Sequence, residues 1–219
     1  TIDLIKQYKP ETNCLSSGQV LQCPYDYDRA KLIVREMTDL LVLDLVEKRL
    51  VTDQIVLTVG YDIENLANPE ISRHYKGEVT VDHYGRKVPK HAHGTANLGR
   101  QTSSTKRIME AVTSLYDRIT DKNLLIRRIN VTANHLTDES AAREKSQDSY
   151  VQMDLFTDYQ ALEEQKQKEE TELKKERAIQ EAILSVKKKY GKNAILKGMN
   201  LEEGATTMER NHQIGGHNA

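Results

Sequence analysis

Tryptophan is absent and phenylalanine occurs once in 219 residues, so any aromatic anchoring of a core falls to ten tyrosines. With 37% hydrophobic and 30% charged residues, the apolar material suffices for one domain of modest size, not for a core running through the whole chain. Part of the polypeptide is therefore expected to be extended or a solvated helix. Two cysteines, Cys14 and Cys23, are too few for a disulfide scaffold and lack a second pair for zinc, which points to a reducing cytoplasm. No run approaches the ~20 apolar residues of a membrane helix, and even Leu40 to Val46 is broken by Asp44, so no membrane partner is expected. A net charge of −1 excludes a uniformly basic or acidic protein. Beginning at Thr1 with neither Met nor a basic-then-apolar leader, the chain is expected to be an excerpt of a longer polypeptide.

What is present alternates between two periods. Leu15 to Gln22 reads as a strand; Pro24, Asp26 and Asp28 then start a helix whose Ile33, Met37, Leu40, Leu41 and Leu45 recur at helical spacing to about Leu50. Thr52 to Tyr61 alternates as a strand, and residues 62 to 88 form a long excursion with a small hairpin around Glu78 to Val88. Pro89 to Asn97 is a third strand. Thr102, Ser103 and Ser104 cap a second helix with a buried stripe of Ile108, Val112, Leu115 and Ile119, and Leu124 to Leu136 closes the domain as a fourth strand. This order predicts an α+β fold, a four-stranded antiparallel sheet with two helices on one face, over residues 13–136. Residues 1–12 read as a basic linker, 137–159 as a flexible linker, 160–190 as a charged helix ended by Gly191, and 191–219 as a weakly structured tail.

The sheet's other face is left bare, and the alternation puts His91, His93, Thr95, Asn97, Arg128, Asn130, Thr132 and Asn134 on it. Charge is unevenly spread behind the neutral total: residues 26–82 carry 12 acids and 7 bases, residues 84–135 only 3 acids against 10 bases. Several of these bases fall beside the bare face or at the start of the second helix, whose free N–H groups suit a phosphate. A nucleic-acid duplex, with one negative charge per ~1.7 Å, is the ligand that such clustering fits.

Enzyme constellations find no support. Asp62-x-Glu64 has a Mg²⁺-like spacing without a third carboxylate, His91 and His93 lack a third ligand, and Ser16-Ser17-Gly18 is no nucleophile elbow, so neither a catalytic residue nor a bound metal is expected. Gln152-Met153-Asp154-Leu155-Phe156 stands apart, an apolar anchor in a polar segment that suits a partner's preformed pocket. A different reading makes the chain a non-catalytic module whose 160–190 helix pairs with a partner through Ile179, Ile183, Val186 and Tyr190.

Residues 152–156 resemble the sliding-clamp-binding pentapeptide of bacterial DNA repair polymerases. Leu15-Ser16-Ser17-Gly18-Gln19-Val20-Leu21, Val51-Thr52-Asp53-Gln54, Gly60-Tyr61-Asp62, Val88 to Thr95 and Ile126-Arg127-Arg128-Ile129 resemble the C-terminal part of a Y-family (DinB/UmuC type) translesion DNA polymerase. The likeness covers about residues 1 to 159, and the tail from Ala178 is similar to that of a Gram-positive branch. It implies a little-finger, or polymerase-associated, domain that grips primer–template DNA, a linker from an upstream thumb, attachment to the β subunit of the bacterial clamp, and a nucleoid-associated place in the cytoplasm. The DNA contacts then expected are Ser16, Ser17, Gly18, Arg86, Lys87, Lys90, His91, His93, Thr95, Arg100, Thr102, Ser103, Lys106, Arg127 and Arg128, and the clamp contacts Gln152, Met153, Asp154, Leu155 and Phe156. The two catalytic Mg²⁺ ions of the parent would sit in an upstream palm, leaving no cofactor in this segment. The long 62 to 88 excursion departs from the family pattern.

Overall fold

A computed structural model describes residues 13–147, 159–214 and 217–218. Strand β1 (Leu15–Tyr25) leads into helix α1 (Tyr27–Glu47), whose first turn is closed by the Asp26 carboxylate accepting from the Arg29 N–H at 2.8 Å. Ile33, Met37, Leu41 and Leu45 repeat every four residues on its buried stripe, each side chain contributing about 1.5–3 kcal/mol by leaving water. Arg49, in the left-handed region at φ 54°, turns the chain into β2 (Leu50–Tyr61).

After β2 come two short helices, α2 (Glu64–Ala67) and α3 (Pro69–His74), and a hairpin of β3 (Val79–Val81) with β4 (Lys87–Pro89). The buried Asn65 ties this excursion down, donating to the Asp62 and Leu125 carbonyls at 2.9 and 2.8 Å and accepting from the Leu125 N–H at 2.8 Å. Strand β5 (Ala92–Thr102), helix α4 (Thr105–Ile119) and β6 (Ile126–Asn134) follow, with Ser104 capping α4 through a bond from the Arg107 N–H. The antiparallel sheet runs β1-β6-β2-β5. Helices α1 and α4 cover one face, burying Ile55, Leu57 and Val59 of β2 and Ile129, Val131 and Ala133 of β6 under Ile108, Val112, Leu115 and Tyr116. Gly94 is needed on that face: a Cβ there would stand 2.9 Å from Leu115 Cδ1 and 3.0 Å from Ile119 Cγ2.

The expected four-stranded sheet gains a fifth member. Strand β7 (Thr137–Asp138) pairs with Leu50 and Val51 at the start of β2, and the element order contains the excursion's helices and hairpin besides the expected six elements. The third strand also runs further than Asn97, to Thr102, because β5 makes a bulge: Gln54 pairs with Asn97, and two residues earlier Thr52 pairs with Thr102. Gly99, at φ 74°, supplies the left-handed turn inside it.

Beyond Leu136 the chain is more ordered than its composition suggests. A helix, α5 (Glu139–Gln147), occupies much of the expected linker, and α6 spans Tyr159–Tyr190, followed by Gly191 at φ 99°. The stripe of helix α6 is divided: Ile183 and Val186 are half-buried, Ile179 and Tyr190 stay 60% and 67% exposed, while Gln180 is buried and Leu184 packs against the core. The tail folds as a 3-10 turn (Gly198–Leu201) and a short helix α7 (Thr207–His212). It docks on α1 through the buried Glu36, whose carboxylate accepts from Asn200 Nδ2 and the Thr206 N–H, both at 2.8 Å.

Candidate nucleic-acid interface

The uncovered face is built by strand parity and register. Outward residues of the four long strands line up in rows: Ser16, Thr132, Val56 and Thr95; Gly18, Asn130, Thr58 and His93; and, at one end, Asn134, Gln54 and Asn97. Within these rows the polar groups hold one another. Ser16 Oγ lies 2.9 Å from both Asn130 Oδ1 and Thr132 Oγ1, Thr58 Oγ1 lies 2.9 Å from His93 Nδ1, and Asn134 donates to Gln54, which donates to Asn97, at 3.1 and 3.0 Å. Such a lattice fixes side-chain positions while leaving further lone pairs and N–H groups toward solvent. His91 continues the β5 row, its ring edge-on to His93 at 6.5 Å.

Arg128 supplies the face's arginine. It lies between Val20 on β1 and Gly60 on β2, and a Cβ on Gly60 would stand 3.1 Å from Arg128 Cβ, so the glycine makes room for it. Among the described residues the Arg128 guanidinium makes neither a hydrogen bond nor an ion pair. Thus Ser16, Gly18, His91, His93, Thr95 and Arg128 share one surface, on which the alternation predicts His91, His93, Thr95 and Arg128.

The remaining expected contacts lie elsewhere. Ser17 points to the other side of β1, where Arg210 of the docked tail donates to its Oγ at 3.1 Å. Arg127 reaches toward Asp62, at 3.7 Å, which itself accepts from the Glu64 N–H at 2.8 Å. The excursion takes up Arg86 and Lys90, paired with Asp82 at 2.6 Å and with Glu78 at 2.7 Å; the Arg86 hydrogen bond holds the Asp82 carboxyl below its usual range. Lys87 is exposed on the same hairpin.

At the start of α4 the expected phosphate position is filled from within the chain. Glu176 Oε1 accepts from the Lys106 N–H at 3.0 Å, Gln180 Nε2 donates to the Ser103 carbonyl and to Thr105 Oγ1 at 3.0 and 2.9 Å, and Arg177 donates to Ser103 Oγ at 3.4 Å. Thr102 is buried and accepts from the Ser104 N–H. Glu169 binds Arg100 and Arg107 together, and Glu172 stands 4.0 Å from Lys106. The clamp pentapeptide, Gln152 to Phe156, lies outside the described residues.

Gln54, Thr58 and Gly60 join the interface without having been singled out, although the alternation of β2 already placed them on one side. Their neighbours, not their own chemistry, identify them. Residues 17–154 match the model of the impB/mucB/samB family C-terminal domain. No curated protein matches the chain significantly.

Proposed function

Because the chain belongs to the impB/mucB/samB family, its residues 17–154 being the C-terminal domain of a Y-family polymerase, we propose that it grips primer–template DNA with the open face of its sheet. The observation that carries this reading is Arg128, laid over Gly60 amid fixed hydroxyl, amide and imidazole groups and left without a partner among the described residues. Phosphate contacts by one arginine and many neutral donors hold a duplex in register without reading its sequence. Titration of the full chain with a labelled primer–template, followed by fluorescence anisotropy at rising salt, tests it. Binding that weakens with salt is expected. A chain that binds no duplex, or binds it indifferently to salt, overturns the reading.

The parent is read as a bacterial DinB/UmuC-type enzyme that copies past damaged template bases, and residues 152–156 as its tether to the sliding clamp. Both rest on the resemblance of the quoted motifs. A tether raises the local concentration of a weakly held enzyme at the primer end. Replacing Leu155 and Phe156 by Ala is expected to abolish clamp binding in calorimetry and to spare duplex affinity. The Mg²⁺ chemistry of the parent is assigned to a palm outside this sequence; with Asp62 engaged by Arg127 and by the Glu64 N–H, the residues present do not fit such a site. A second reading, a helical module pairing with a partner, draws on the exposure of Ile179 and Tyr190 on α6.

A further inference from the structure

We propose that α6 is an intramolecular competitor for DNA: its carboxylates cover a second phosphate-contact patch formed by Arg100, Lys106 and Arg107 at the β5–α4 junction. This rests on the DNA reading of the open face and extends it around one edge of the sheet. Glu169, Glu172 and Glu176 fall on one side of α6 and engage these three cations and the Lys106 N–H in the first turn of α4. They take the position that a phosphate would.

Three properties make this contact displaceable. The cations remain wet, with Arg100, Lys106 and Arg107 side chains 45%, 80% and 38% exposed, so water and salt screen each pair. Beneath α6 lies a groove of about 920 Å³ lined by Leu43, Leu98, Ala111, Leu173 and Ile183, so the helix bridges this stretch without filling it with apolar contacts. The first and last of the three carboxylates stand seven residues apart along the helix, roughly 10 Å, whereas the same length of duplex carries about six charges. A duplex therefore offers the patch the denser array of anions. Asn97, at the end of the Asn134–Gln54–Asn97 row, also lines the groove, so the covered patch adjoins the open face.

The test compares full-length chains. Glu169→Gln/Glu172→Gln/Glu176→Gln uncovers the patch; Glu163→Gln/Glu164→Gln/Glu170→Gln makes the same change in charge at exposed positions of α6. The first is expected to bind a primer–template about tenfold tighter than the second at low salt, with a salt slope steeper by roughly two. Adding Arg100→Ala/Arg107→Ala is expected to remove that gain, and on the otherwise unaltered chain to weaken binding by less than it does on the uncovered one, because there Glu169 competes for both arginines. Equal affinities of the two Gln variants, or a gain that survives loss of both arginines, overturns the masking. If no variant binds duplex at all, the DNA reading of the open face falls first and the masking with it. Circular dichroism on each variant verifies that it is folded.

Discussion

Gly60 and Arg128 face each other across the β2–β6 ladder with room for a hydrogen and no more: a Cβ on the glycine would lie 3.1 Å from the arginine's own. The side chain proposed to contact duplex is thus seated by the absence of another. Arg128→Ala is expected to weaken primer–template binding and to lower the salt slope by about one, the loss of a single phosphate contact. Gly60→Val should do nearly as much by pushing Arg128 aside. An unchanged slope in both variants removes Arg128 from the interface.

On the opposite face Gly94 serves packing. Leu115 and Ile119 of α4 occupy the space a methyl group would need, so Gly94→Ala is expected to cost about 1–3 kcal/mol as the helix is forced outward. Urea unfolding reads this as a lower midpoint with an unchanged dependence on denaturant. A midpoint equal to that of the parent chain contradicts the close approach.

Glu36 is a charged group on the buried stripe of α1, satisfied entirely by the tail. Glu36→Ala leaves Asn200 Nδ2 and the Thr206 N–H without their acceptor, and is expected to undock the tail at a cost of about 3 kcal/mol. Amide exchange at Thr206 and Thr207 should then accelerate sharply while β2 and β6 stay protected. Uniform exchange across tail and sheet would mean that the two unfold together.

Tyr27, Lys31 and Asp117 form a pH-dependent junction between α1 and α4. Burial alone raises the Asp117 carboxyl, but hydrogen bonds from Lys31, at 2.8 Å, and from Tyr27 outweigh it and bring it below the usual value. Burial, and then its bond to Asp117, push the Tyr27 hydroxyl up to about 12. The carboxylate's stabilisation is complete above pH ~4 and disappears as acid protonates it through its lowered value; the phenol's is complete below pH ~10 and disappears as pH rises through about 12. With Asp117 partly in water, Asp117→Asn should lose under about 1 kcal/mol at neutral pH and flatten the acid limb of the stability curve. An acid limb that overlays the parent's excludes Asp117 as its source.

Periodicity made the sheet and its two helices legible before any coordinates. Ile55, Leu57 and Val59 alternate, Ile33, Met37 and Leu41 recur every four residues, and a period needs only its own segment to be seen. The open face was legible for the same reason, since whatever alternates away from the core must face water. The order of residues 197–212 is not legible in composition, because their hold on the domain comes from single polar groups, such as Asn200 on Glu36 and Arg210 on Ser17, joined across more than 160 positions. One signal was available: Glu36 stands between Ile33 and Met37 on an apolar stripe, where a carboxylate demands a partner. The face that α6 buries is set by Gln180 as well as by Leu184, because the surface beneath it offers the Ser103 carbonyl and the Thr105 hydroxyl besides apolar groups.

The bulge around Gly99 bears on solubility. As an outer strand, β5 would present an unbroken row of backbone donors and acceptors on which another molecule's strand could zip, the seed of an ordered aggregate. Between Asn97 and Thr102 the left-handed glycine and the charged Arg100 twist that row out of line. A sheet proposed to offer one broad polar surface to DNA would in this way be hindered from adding copies of itself at that rim.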